Sequence, residues 1–201
     1  NSGEWTLLSS PTPGQDNKTP SILATPSNLV INEWMANGRG DDWIELHNPQ
    51  AMPVKMDGMY LTDDLSSIGL TQFEIPQLNY IAARGFVKWV ADANLAKGGD
   101  HVNFSLASLG EPIALYSRTK SLVDKREISI TTPGESEGRL PDGATRITKF
   151  PSTPTPGKSN YLPVENVVIN EVLTHTDPPF EDAIELQNLS DNPVDIGNWW
   201  I

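Results

Sequence analysis

NLVINE at residues 28–33 and WIELHN at 43–48 return later in the chain as NVVINE at 166–171 and AIELQN at 183–188. Pro53-Val54 then returns as Pro193-Val194, and the apolar Met56, Met59, Tyr60 and Leu61 correspond to Ile196, Trp199, Trp200 and Ile201. The offset is 138 at the first match and 140 at the later ones, so the second copy holds two extra residues in the loop containing Asp177-Pro178-Pro179. A second pair marks the other end of the unit: SSPTPGQDN at 9–17 matches STPTPGKSN at 152–160, an offset of 143. These pairs divide the chain into the end of one copy at 1–17, a linker at 18–27, a complete copy at 28–160, a linker at 161–165 and the first part of a following copy at 166–201. The chain is thus expected to begin within the end of one copy and to stop in the third or fourth strand of another. A period near 140 is too long for a solenoid unit, which needs neighbours to bury its faces, and is the size of an autonomous domain. Both linkers contain Pro, which favours extended spacers.

Within the complete copy the apolar residues fall in short runs broken by Gly and Pro, 15 and 17 of them in the 201-residue chain, which leaves little room for long helices. Residues 29–34 read as an apolar strand. At 43–48, Ile44 and Leu46 alternate with Trp43, Glu45 and His47, the period-2 pattern of a strand with one buried face, and Asn48-Pro49 ends it. Further strands are expected at 54–61, 73–75, 81 through 86–90, 102–106 and 113–116, as one bent strand over 121–123 and 127–130, and at 146–150. Turns are expected at Gly110-Glu111, Pro133-Gly134 and Pro141-Asp142-Gly143. Eight or nine strands at this spacing, with no helical stretch, point to an all-β antiparallel sandwich of Greek-key type.

The order of these signals, LVINEWMAN, DDWIELHNP, VKMDGMYLTDD, IAARGFVKWVADA, HVNFSLASLGEPIALYS, SLVD, SEGRLPDG and TPTPGKSN, resembles the lamin tail domain (LTD) family over residues 28–160. The resemblance implies an immunoglobulin-like β-sandwich. With tandem copies and no flanking coiled-coil heptads, it implies the setting of modules in large exported bacterial proteins, often beside hydrolase or kinase-like domains, rather than that of nuclear lamins. An extracellular or cell-surface location follows from the same resemblance. The family carries no agreed catalytic motif, so no catalytic residue transfers.

Chemistry-bearing residues are few. There is no Cys, hence no disulfide framework and no thiolate metal site. No run of about 18 apolar residues spans a membrane. The three histidines, His47, His101 and His175, are scattered, and nothing in the sequence brings a Ser and an Asp to any of them. Asp41, Asp42, Asp63 and Asp64 sit in loops that could share one end of a sandwich. They read either as oxygen ligands for Ca²⁺ or as turn residues bonding their own backbone. Trp34 and Trp43 read either as planar platforms for a sugar or partner side chain or as core. Asn32-Glu33 and Glu45 recur as Asn170-Glu171 and Glu185. The alternatives there are a polar patch shared by the copies, or Glu45 on the solvent face with Asn32 satisfying turn backbone groups.

The net charge is −12, but residues 28–160 hold 13 basic against 16 acidic residues, −3, while 161–201 hold 8 acidic residues and no Lys or Arg. Arg118, Lys120, Lys125 and Arg126 are close in sequence, yet no concentrated basic face is visible, so duplex DNA is not an expected partner. The expected function is a non-catalytic scaffold, spacer or adhesion module without a cofactor. The alternatives are a carbohydrate- or protein-binding module and an enzyme that borrows catalytic residues from a neighbouring domain. The strands after residue 166 lack partners and are expected to dock on the complete copy or on a second chain.

Overall fold

The computed structural model describes residues 5–164, 166–175, 177–179 and 181–197. The chain divides between Tyr161 and Leu162 into two compact units. The strands of the first unit are β1 (Val30–Met35), β2 (Asp42–His47), β3 (Val54–Lys55), β4 (Tyr60–Thr62), β5 (Phe73–Glu74), β6 (Tyr80–Ile81), β7 (Phe86–Ala91), β8 (Pro112–Tyr116), β9 (Leu122–Glu127), β10 (Ser136–Arg139) and β11 (Ile147–Phe150). The second unit holds β12 (Val167–Leu173) and β13 (Ala183–Asn188). The fold is all-β, and every pairing between these strands is antiparallel.

In the first unit a five-stranded sheet runs β11-β10-β1-β2-β7, a four-stranded sheet runs β5-β4-β8-β9, and β3 pairs with β6. Ile31, Trp34, Ile44, Leu46 and Trp89 of the larger sheet and Leu61, Phe73, Ile113 and Leu115 of the smaller one enter a single buried cluster. Val54 and Ile81 of the β3–β6 pair join it, as do Val102, Phe104 and Leu106. Burial of such side chains is the dominant favourable contribution to folding, roughly 1.5–3 kcal/mol for each large one.

Gly58, at φ +74°, separates β3 from β4, so the single strand expected at 54–61 divides between two sheets. Residues 102–106 are not a continuous strand. They make isolated bridges, His101 to Val90 and Ser105 to Asp92, while Val102, Phe104 and Leu106 point into the core. The bent strand expected over 121–123 and 127–130 is instead β9 at Leu122–Glu127, with an irregularity opposite Leu115/Tyr116, and residues 128–130 lie outside it. β10, SEGR, was not expected from the sequence, because it is wholly buried yet has no large apolar residue.

The linker region is stitched to its surroundings. Ser9 N–H donates to Thr19 O (3.0 Å), Ser21 N–H to Leu7 O (2.8 Å) and Ala24 N–H to Pro53 O (2.9 Å). The strand expected at 198–201, with Trp199, Trp200 and Ile201, lies outside the described residues. Among the described residues no helix is long and apolar enough to cross a membrane.

Candidate functional site

The two repeated motifs at the start of the complete copy meet the repeated motif at its end. The pairing of β1 with β2 shifts register between Ile31 and Glu33, which makes Asn32 the extra residue of a bulge. A bulge re-aims side chains and frees backbone groups from the ladder. Here Ile31 N–H donates to Asp124 Oδ2 (2.8 Å), and Ile31 O accepts from Arg139 Nε (2.8 Å). Asp124 Oδ2 also accepts from Arg139 Nη2 (2.7 Å), which ties β9 to β1 and β10. After the bulge Glu33 stands directly opposite Glu45.

Glu33, Glu45 and Asn32 are all 0% exposed. Glu33 accepts from Ser136 Oγ (2.6 Å), from Thr155 N–H (3.1 Å to each carboxylate oxygen) and from Thr155 Oγ1 (2.9 Å). Glu45 accepts from the Asn32 amide (3.3 Å) and from Gly157 N–H. Asp142, in the turn expected at Pro141-Asp142-Gly143, accepts from the Asn32 amide (2.9 Å) and from Asn160 N–H (3.0 Å). Gly143 N–H returns a bond to Asn32 Oδ1 (3.0 Å). Thr155 Oγ1 donates to Asn160 Oδ1 (2.7 Å), and the Asn160 amide donates to Arg139 O (2.9 Å). The result is a clasp in which carboxylates of β1, β2 and one turn hold the segment 155–160.

The clasp needs close backbone approach. A Cβ on Gly138 would lie 2.5 Å from Asn32 O and 2.8 Å from Asn160 Nδ2. Gly157 adopts φ +83°, where a side chain is strained.

Like charges facing each other across a ladder repel, and burial favours the neutral acid. Burial raises Glu33 above the ordinary carboxylate range, against the lowering effect of the Ser136 and Thr155 hydrogen bonds. Burial likewise pushes Glu45 up to about 8, opposed by Gly157 N–H and the Asn32 amide and reinforced by the charges of Glu33 and Asp142. A close carboxyl pair with raised pKa values is a common signature of acid–base catalysis. This pair has no exposed surface. A substrate has no access to it.

Several expectations are corrected. Glu45 is not on the solvent face, because the closing segment covers it. Trp34 is 1% exposed and gives its Nε1–H to Glu137 Oε2 (3.1 Å), and Trp43 is 7% exposed, so neither offers a stacking platform. Both belong to strands of the larger sheet with buried residues on both faces. Asp41, Asp42, Asp63 and Asp64 do not assemble a metal site. Among the described residues no three His, Cys, Asp or Glu side chains are grouped so as to hold a metal ion. Asp42 Oδ1 accepts from Gly38 N–H (3.3 Å), and Asp41 lies 3.7 Å from Lys97 Nζ. Asp64 accepts from the backbone N–H and hydroxyl of Ser66 (2.8 and 3.0 Å), while Asp63 N–H donates to Gln72 Oε1 (3.2 Å). These are mostly the local bonds of turns. Burial raises the pKa of Glu111, and the charges of Asp63 and Asp42 push it further the same way.

Two of the histidines make contacts within the unit. His47 stacks on Phe86 (4.4 Å between ring centroids), with Nδ1 3.0 Å from Gly85 O, and burial lowers its pKa. His101 Nδ1 lies 2.9 Å from Asp92 Oδ1, a pairing the sequence does not suggest. Lys97 and His101 hold Asp92 down to about 2. Among the described residues no hydroxyl or thiol is hydrogen-bonded to His101.

The surface carries open grooves. One, of about 470 Å³, is lined by Lys55, Asp57, Ser117, Arg118, Thr119 and Ser121 among others. Another, of about 340 Å³, includes Phe73, Pro76, Leu95 and His101. A scan of protein-family models gives no match to this chain, and a search of curated proteins gives no significant match.

Proposed function

We propose that residues 28–160 form an immunoglobulin-like β-sandwich of the lamin-tail type, and that it serves as a non-catalytic scaffold, spacer or adhesion module in an exported multidomain protein. One observation carries this reading. The polar residues that recur between copies, Asn32, Glu33 and Glu45, with Thr155, Gly157 and Asn160, are spent on a buried clasp that joins the start of the module to its end. Residues retained for chemistry would line an accessible site. Residues retained for closing a module are buried and satisfied. The order of family-like motifs and the single core shared by the two sheets support the sandwich assignment. The test is direct: the chain is expected to show no turnover of ester, phosphodiester or glycoside substrates. Measurable turnover that survives repurification would overturn the proposal.

A binding role is the second reading, and the groove beside Arg118 favours it. Ser117 Oγ and Thr119 Oγ1 are 2.9 Å apart, and Thr119 Oγ1 and Ser121 Oγ 3.5 Å apart, which makes a row of exposed hydroxyls next to a guanidinium. Such a row suits a carbohydrate or a polar peptide. A glycan array and a peptide array without hits would remove it. With a net charge of −12, no gel shift of duplex DNA is expected even at low salt.

A further inference from the structure

The groove beside Arg118 lies between three segments of the first unit: residues 25–27, the β3–β4 connection and the β8–β9 turn. Its volume of about 470 Å³ is within the ordinary range of small-ligand sites. Hydroxyls line it from two sides of the sequence. Thr25 Oγ1 and Ser27 Oγ are 2.8 Å apart. The row Ser117, Thr119, Ser121 is fixed by its turn: Ser117 N–H donates to Ser121 O (2.8 Å), Lys120 N–H to Ser117 O (2.8 Å) and Ser121 N–H to Ser117 Oγ (3.1 Å). Pro26, Met59, Leu122 and Val123 supply the apolar lining. The charged lining residues are Lys55, Asp57 and Arg118. Lys55 Nζ lies 3.3 Å from Asp57 Oδ1, so these two charges offset each other. Arg118 is exposed and, among the described residues, makes no ion pair. Its stem is held all the same. A Cβ on Gly58, at φ +74°, would lie 3.3 Å from both Arg118 Cγ and Arg118 Cδ, so the stem rests on bare backbone. A guanidinium that is positioned, unpaired and open to solvent is an anion-recognition group, and its planar fork matches a carboxylate.

We infer that this groove binds a uronic-acid sugar, with Arg118 pairing the carboxylate and the hydroxyls of Ser117, Thr119, Ser121, Thr25 and Ser27 bonding the ring hydroxyls. The inference rests on the binding reading of the groove and narrows its ligand to an acidic glycan. Charge decides for an anion. Two cationic and one anionic side chain line the groove, net +1, on a chain of net −12. The attraction is therefore local to this place and is not a property of the whole surface. The hydroxyls decide for a sugar. Each is both a donor and an acceptor, as each sugar hydroxyl is, so the row can meet a row of ring hydroxyls in either sense. A peptide presents N–H donors and C=O acceptors in fixed alternation and leaves part of that capacity unused. The apolar lining suits the C–H face of a sugar ring.

Titration of the full chain with tetragalacturonate, followed by backbone amide shifts in NMR, tests it. The fully methyl-esterified tetramer and tetraglutamate are the other arms. Tetragalacturonate is expected to shift signals of residues 25–27, 55–59 and 117–123. The ester keeps the ring hydroxyls and loses the charge, so it should bind at least about tenfold more weakly, the contribution of one charge-assisted hydrogen bond. Arg118→Ala should lose the same factor, and Arg118→Lys part of it. Arg118 is exposed, so both variants should melt with the parent. Lys88→Ala removes an exposed cation of β7 that does not line the groove, and should bind like the parent. Equal affinity for acid and ester would overturn the inference and leave the binding reading standing. No shift with any of the three probes would remove both. Tetraglutamate binding as tightly as tetragalacturonate would replace the sugar by an acidic peptide. Equal losses in Arg118→Ala and Lys88→Ala would place the contact outside the groove and also overturn the inference.

Discussion

The β1–β2 and β12–β13 hairpins share a sequence motif, a bulge position, an opposed Glu pair and an Asn-to-Glu side-chain bond. They differ in burial. Ile31, Ile44 and Glu33 are 0% exposed, while Ile169 and Ile184 are 59% and 48% exposed and Glu171 is open to solvent. The hairpin conformation is therefore written locally, and the environment of its side chains is not. In the first hairpin β10, the Asp142 turn and segment 155–160 convert two facing carboxylates into hydrogen-bonded acceptors inside the unit. In the second the same carboxylates remain on a surface.

The largest effect expected from this contrast is at the facing pair itself. Glu33→Ala strips the acceptor from Ser136 Oγ and Thr155 N–H inside the protein. Leaving buried donors without their acceptor costs roughly 1–3 kcal/mol for each one unsatisfied. Glu171→Ala, at the matching exposed position, should stay within about 0.5 kcal/mol. Urea denaturation of both variants measures the difference, and equal losses would break the comparison.

Gly138→Ala comes next. Its Cβ meets backbone on one side and the Asn160 amide on the other, so the clasp must open slightly, at roughly 1–3 kcal/mol. The melting temperature should fall with no change in the β12–β13 signals in NMR.

The third expectation concerns pH. In the folded state Glu45 holds its proton up to about 8, against an ordinary value of 4.5. Its contribution to stability is therefore fully present below pH 4.5 and is lost as pH rises through about 8. The melting temperature of the unit should decline across that window. Glu45→Gln, which cannot ionise, should flatten the decline, and an unchanged slope in that variant would assign it elsewhere. The smallest effect is at Trp34→Phe, which keeps most of the ring but loses the bond to Glu137; about 1 kcal/mol is expected by denaturation.

Much of the strand pattern was legible because it rests on neighbours. Ile44 and Leu46 alternate toward the core, Asn48-Pro49 ends β2, and Pro141-Asp142-Gly143 turns. The site was legible only as recurrence: Asn32, Glu33 and Glu45 stood out because they return at 170, 171 and 185, but their burial did not. β10 was hidden for the same reason. Ser136, Glu137, Gly138 and Arg139 look like a surface turn, yet Ser136, Glu137 and Arg139 are buried in polar contacts and Gly138 under the close approach of Asn32 and Asn160. Period-2 alternation reports one apolar face, and it falls silent when the opposite face is covered by polar groups from elsewhere in the chain.

By itself, then, the sequence determined that the chain is all-β and where several of its strands and turns fall, since alternation and turn chemistry depend on residues a few positions apart. Tertiary structure alone decided that Glu33 lies inside, that Trp34 and Trp43 are core, and that among the described residues the loop aspartates form no group able to hold a metal ion. Glu33 is 122 residues from the Thr155 that satisfies it, and no local pattern encodes whether a carboxylate will find such a partner.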